Sequence, residues 1–279
     1  MMTRLIAFLA LFLFLPVAAC GEEDHPRPFN ADLDGMEQVE SGLAEARAND
    51  KRLLLVLGAN WCHDSRAFAH HLEDPHLAAI IEENYVLRLI DVGLRDRHHD
   101  VMQRFGVTAI YATPTIFIID PEDEFLLNRH NMSDWTTAAS RQIDEALHYF
   151  TAWADAEYGD DGLIVASVVY QSMLTEIEVF EAEEGARLAQ AYIDIANWRA
   201  LPEAEQPEDL DARIREVDEW RLSMVPRVRD LYVNALFQAE NALDSFAAGE
   251  EITLEMISAF DQTDPDLPLQ IERHESEIW

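Results

Sequence analysis

The chain has 279 residues, 49 % of them hydrophobic, with Lys+Arg 20 against Asp+Glu 54 and a formal net charge of −34. That length and apolar content are enough for one or two domains with real cores, while the acidic balance argues against nucleic acid and against charge-driven binding to anionic membrane surfaces. Lys51 is the single lysine, and the acid excess is heavier after residue 150 than before it, which marks the second part as a different surface and a different structural unit.

The chain begins "MMTRLIAFLALFLFLPVAAC": one arginine, an apolar stretch from Leu5 to Leu15, then Pro16 and small residues up to Cys20. The apolar stretch is shorter than the roughly 20 residues a membrane-spanning helix needs, and it fits a secretory signal peptide over 1–19. Val17-Ala18-Ala19-Cys20 resembles the lipobox of bacterial lipoproteins. That resemblance implies cleavage before Cys20 and acylation of its sulfur and new amino group, with ordinary signal cleavage and a free Cys20 thiol as the alternative. Gly21 follows rather than the aspartate associated with inner-membrane retention, which favours an outer-membrane anchor on the periplasmic side. Cys20 and Cys62 are the two cysteines. With lipid on Cys20, one thiol remains in a compartment where disulfides persist, and no intramolecular disulfide can form. Residues 20–35, containing "EEDHPRPFNADLDG", are polar and proline-containing and read as a tether, with His25 solvent-exposed and without function.

Regular patterning starts at residue 36. "MEQVESGLAEARAND" has helical spacing, and "RLLLVLGA" is a continuous apolar run of the kind found in a strand buried on both faces. "GANWCHDSRAF" then turns into a helix that extends to about residue 83, broken or bent at Pro75. "YVLRLIDV" is the next strand, "HDVMQRFG" a helix that Gly106 can close, "TIFIID" a strand, and "EFLLNR" another after the turn "DPEDE". Ser133 is placed to cap a long helix, "DWTTAASRQIDEALHYFTAWADAEY". The order α-β-α-β-α-β-β-α predicts a central mixed sheet with helices on both sides and an antiparallel terminal hairpin.

Trp61-Cys62 at the first strand-to-helix turn and Thr113-Pro114-Thr115 before the third strand resemble the thioredoxin superfamily, over about residues 36–155. "LEDPHLAAIIEENYVLRLIDV" and "FGVTAIYATPTIFIIDPEDEFL" carry the same resemblance. It implies an α/β thioredoxin-like fold with Cys62 at a helix N-terminus, where unpaired N–H groups and the helix dipole favour a thiolate. It also implies a cis Pro114, with the Thr113 backbone forming a ledge for an extended peptide, and Trp61 as an apolar wall. Ser65 stands where a dithiol enzyme carries its second cysteine. A serine cannot resolve a mixed disulfide, but its hydroxyl is placed to donate to the Cys62 thiolate. His63, if protonated, would favour the thiolate and Asp64 would disfavour it.

Three chemistries stay open for Cys62: exchange with a protein or small-thiol mixed disulfide, covalent holding of a client until an external thiol frees it, or no reaction, on a binding or scaffold protein. No cofactor is expected. A thiol- or disulfide-bearing protein of the bacterial cell envelope is the expected partner. His63, His70, His71 and His76, with His98-His99-Asp100, Met102 and Cys62, offer soft and imidazole ligands for copper or zinc. They lack a ligand signature, and His70 and His71 point about 100° apart on a helix, so no metal site is assigned.

Past Tyr158, "GDDG" breaks the pattern, and residues 156–279 read as an all-helical extension of three or four helices. "LIVASVVYQSMLTEIEVFEAEEGARLAQAYIDIANWRAL" leads to the Pro-bounded "LPEAEQPEDLD", a helix expected to kink or break near Pro226, and "EITLEMISAF". No tetratricopeptide-like period is present. Trp198, Trp220, Tyr232 and Phe237 are expected in its core rather than in a ligand box.

Overall fold

A computed structural model describes residues 25–129, 131–156, 163–276 and 279. In chain order it contains α1 (Gly35–Asn49), β1 (Arg52–Gly58), α2 (His63–His71), α3 (Pro75–Asn84), β2 (Tyr85–Asp91), α4 (His99–Arg104), β3 (Thr115–Ile119), α5 (Ile143–Ala154), α6 (Val168–Arg199), α7 (Leu210–Ala247) and α8 (Leu254–Asp261). The expected signal segment, Cys20 and the "GDDG" break at 159–162 fall outside the described residues. Among the described residues no helix is long and apolar enough to cross a membrane.

Strand β1 lies between its two neighbours, parallel to β2 and antiparallel to β3. Its side chains alternate as a pleated strand requires. Leu53, Leu55 and Leu57 enter one cluster with Val39 and Leu43 of α1 and Met102 of α4. Leu54 and Val56 enter another with Phe68 of α2, Leu77 of α3 and Phe150 of α5. Each of these buried leucines stabilises the fold by about 1.5–3 kcal/mol, which is why the strand reads as an unbroken apolar run. Pro75 ends nothing by itself; Asp74 accepts from the His76 and Leu77 amides and starts α3 with the proline in its first turn.

The sheet register aims the site. Leu57, near the end of β1, pairs with Thr115 at the start of β3, so the turn leaving β1 meets the segment entering β3.

Several expectations are corrected. The strand "EFLLNR" is not formed: pairing beside β3 is reduced to an isolated bridge, Ile119 to Leu126. The buried amide of Asn128 takes over the ladder, accepting from Ile118 N at 2.8 Å and donating to Ile116 O at 2.9 Å. The long helix expected from Ser133 is two pieces, a 3-10 turn at Asp134–Ser140 and α5, and Ser133 makes no side-chain cap bond. Gln142 and Glu145 form a capping box that starts α5 afresh. In the tether, Phe29 is buried in the core beside β1, and its main chain pairs with Asn60, N–H to Oδ1 at 3.1 Å and O to Nδ2 at 2.6 Å. Helix α7 is continuous through Pro226, so the break expected as one alternative there is not formed, and Phe237, expected in the core of the extension, is exposed on this helix. The carbonyl deprived of its donor belongs to Leu222, whose side chain is exposed, so water can serve it.

Helices α6, α7 and α8 share one core with Trp220, Phe180 and Tyr192, and two residues of the first unit, Ala109 and Tyr111, belong to that same core. Gly185 of α6 allows the approach: a Cβ there would meet the Thr108 side chain at 2.7 Å. The extension therefore seats on the segment that leads into Thr113-Pro114.

Candidate active site

Cys62 is the N-cap of α2. Its Sγ accepts from the Ser65 main-chain N–H at 3.5 Å, and as a thiol it donates to Thr113 O at 3.3 Å. The sulfur is half-buried. Ionisation abolishes the second contact and keeps the first, leaving the thiolate facing the free amides of the helix end.

Ser65 does not act as its hydroxyl was expected to. At the third position of the helix its N–H points out of the helix end to the sulfur, while the side chain turns back toward the sheet. Its Oγ is buried with no hydrogen-bond partner, next to Gly58, where a Cβ would come within 2.9 Å of it and 2.6 Å of the Phe29 ring. Asp64 is also turned away, accepting from Ala139 N at 3.0 Å and so tying α2 to the 3-10 turn.

Trp61 is 47 % exposed beside the sulfur. Its Nε1 donates to Gly93 O at 2.7 Å, and the Arg95 guanidinium lies 4.8 Å over its ring, a cation–π contact. Arg95 has φ +75, in the left-handed region. Burial and the neighbouring Arg221 disfavour the Arg95 charge and lower its pKa, while Tyr192, Asp218 and Cys62 favour it.

Thr113–Pro114 is a cis bond and Thr113 is buried. The main-chain carbonyls of residues 110–113 are all engaged. Ile110 O accepts from Tyr192 OH at 2.8 Å and Tyr111 O from Arg221 Nη1 at 3.3 Å, both from the helical extension. Ala112 O accepts from Thr115 Oγ1 at 2.8 Å, and Thr113 O from Cys62.

Between the two units beside Trp61 lies a cleft of about 230 Å³ whose walls include Arg95, Tyr192, Arg199 and Asp218. On the other side of Tyr111, Glu181 is buried and paired with Arg129 at 2.9 Å. Burial holds the Glu181 carboxyl above the usual carboxylate range, with Arg129 pulling it back.

The histidines separate. His70 faces His25, with ring centroids 5.2 Å apart, and His63 lies 6.1 Å from the same ring, so His25 packs against the site helix instead of standing free. His71 contacts Ala138 O at 3.1 Å. His99 has both ring nitrogens buried without a partner, and burial lowers its pKa. Among the described residues no three His, Cys, Asp or Glu side chains are grouped to hold a metal ion.

The structure thus brings Trp61, Cys62, Thr113 and Pro114 together and leaves the Ser65 hydroxyl out. Sequence reasoning missed Arg95, Tyr192 and Arg221, which are far apart in the chain and meet only through docking of the extension. Phe29 left one trace, an aromatic residue inside a polar stretch.

Residues 34–121 match a family model described as thioredoxin-like, and this part of the chain has a thioredoxin-like fold. A solved structure of a disulphide isomerase from Xylella fastidiosa Temecula1 is similar at 26 % identity, covering 45 % of this chain and 95 % of that one, with a TM-score of 0.41. No curated protein matches the chain.

Proposed function

We propose that the thioredoxin-like unit carries out thiol–disulfide exchange through Cys62 as a monothiol. The observation that supports it most is the sulfur itself, set as the N-cap of α2 with a main-chain N–H on it and Trp61 open beside it. The Cys62 thiolate attacks one sulfur of a disulfide, forms a mixed disulfide and expels the other sulfur as a thiolate. With Ser65 in place of a resolving cysteine, an external thiolate attacks the mixed disulfide, releases a new disulfide and regenerates Cys62. Thr113 O takes the thiol proton's hydrogen bond in the resting state. With Cys20 read as the lipid-bearing residue, this chemistry takes place at the bacterial envelope, with thiol- or disulfide-bearing molecules there as partners.

A binding or scaffold role on the same fold draws its support from the extension lying over the ledge. The rate of Cys62 modification separates the two. A chain carrying Cys20→Ser, so that Cys62 is its one thiol, is mixed with a disulfide reagent near neutral pH, folded and in denaturant. Exchange chemistry requires the folded chain to react faster by about tenfold or more, a barrier lower by about 1.4 kcal/mol. A folded rate equal to or below the unfolded one rules exchange out and leaves the scaffold reading.

A further inference from the structure

The main-chain carbonyls of residues 110–113 are already engaged by the molecule's own groups, so an extended peptide finds none of them free beside Cys62. Ile110 O and Tyr111 O are held by Tyr192 and Arg221 of the extension, and Thr113 O by Cys62. What stays open beside Trp61 is the cleft of about 230 Å³, smaller than the roughly 300–1,000 Å³ of a drug-sized pocket and suited to a short head group.

Its chemistry is set by Arg95. The guanidinium is half-buried, its Nε is fully buried, and it makes no hydrogen bond or ion pair with any described residue. A guanidinium carries five donors in a planar fork that matches a carboxylate, so donors left without an acceptor at a cleft mark a place for one. The carboxylate in the cleft wall, Asp218, has one oxygen bonded to Arg221 at 2.7 Å and favours the Arg95 charge without a hydrogen bond to it. Arg199 adds a second cation at the rim. In a chain of net charge −34, this is a local cationic spot next to the one candidate nucleophile.

Resting on the exchange reading above, we propose that the cleft formed by Trp61, Arg95 and the α6/α7 pair seats the carboxylate of a small anionic disulfide or mixed disulfide, and so selects the molecule that reacts at Cys62. The carboxylate is a spectator. The sulfur–sulfur bond of the bound disulfide breaks, a bond from Cys62 Sγ to one of its sulfurs forms, and the other sulfur leaves as a thiolate. A second small thiol restores Cys62 by the reverse step.

The test uses the full chain with Cys20→Ser and three aliphatic disulfides of different charge: dithiodipropionate (anionic), hydroxyethyl disulfide (neutral) and cystamine (cationic). The global field of an acidic protein favours cystamine, so the cleft predicts the opposite order. The anionic reagent reacts fastest, ahead of the neutral one by about tenfold, the worth of one charge-assisted pair. Arg95→Ala brings the anionic-to-neutral ratio to about one and Arg95→Lys restores part of it; using a ratio cancels any change in thiolate population. A wild-type ratio at or below one, or a ratio untouched by Arg95→Ala while the neutral reagent still modifies Cys62, overturns the carboxylate site and leaves the exchange reading standing. If no reagent modifies folded Cys62, the exchange reading fails. Calorimetric titration of dithiodipropionate into Cys62→Ser then decides the cleft: binding lost on adding Arg95→Ala upholds it as an anion site, and no binding overturns it.

Discussion

The two units close their cores in different ways. The thioredoxin-like unit closes on itself: among the described residues, the buried members of both its apolar clusters, one on each face of β1, lie between Phe29 and Phe150. The helical extension does not, because its core includes Ala109 and Tyr111 from the other unit. Its polar seam is likewise borrowed, through Arg129 with Glu181 and the main-chain carbonyls of Ile110 and Tyr111. The extension is thus built onto the segment that leads into Thr113-Pro114.

The largest expected effects come from removing one aromatic anchor on each side of that comparison. Phe29→Ala and Tyr111→Ala each remove a buried ring and cost about 3–5 kcal/mol. Phe29→Ala lowers the protection of β1 amides from hydrogen exchange, whereas Tyr111→Ala lowers that of α6 and α7 while β1 stays protected. Equal loss in both units from Tyr111→Ala would show that they form one cooperative body and break the comparison.

A smaller effect is expected at the approach itself. Gly185→Val overpacks against the Thr108 side chain at a cost of about 1–3 kcal/mol, read as a lowered denaturant midpoint. Because the strain falls on the docking and not on the sheet, Cys62 also becomes more reactive toward a bulky peptide disulfide. An unchanged peptide rate in a chain with the lowered midpoint would mean that the extension does not gate the ledge.

The buried Glu181–Arg129 seam adds a pH dependence. Burial raises the Glu181 pKa in the folded chain, so above the ordinary carboxylate range the folded state holds a proton that the unfolded state has released. Stability contributed by this group is therefore present at low pH and declines as pH rises from the ordinary glutamate pKa toward the raised one, with a slope of at most about 1.4 kcal/mol per pH step. Glu181→Gln removes that slope, and a stability–pH curve of the same shape in the variant would contradict the assignment.

The smallest effect is expected at Ser65. Its hydroxyl is buried without a partner, so Ser65→Ala leaves stability unchanged or raises it by up to about 1 kcal/mol, with the Cys62 rate held. A loss of Cys62 reactivity would return the hydroxyl to the role that its spacing from the cysteine suggests.

Much of the frame is legible from local chemistry. The run Leu53–Leu57, the turn at Trp61-Cys62 and the interruption of the helix at Pro75 follow from apolar period, proline chemistry and the family resemblance, while the Asp74 cap that restarts the helix comes from the structure. Three further features do not follow from the sequence. The fourth strand is reduced to a bridge, and the Asn128 side chain bonds the β3 main chain beside it, a side-chain contact that strand patterns do not encode. Ser65 has the right spacing from Cys62, but its side-chain direction is set by the helix turn and the space left by Gly58. Arg95, Tyr192 and Arg221 meet at the site only because α6 and α7 dock there, and nothing in the periodicity of those helices names their partner surface.

The central claim, a single nucleophilic sulfur that depends on a thiol from outside, has a direct measurement in intact-mass analysis of the folded Cys20→Ser chain after treatment with a small disulfide. One adduct per chain is expected, on Cys62, which persists after the reagent is removed and disappears when an external thiol is added. No adduct on the folded chain, or an adduct that clears with no added thiol, would contradict that claim.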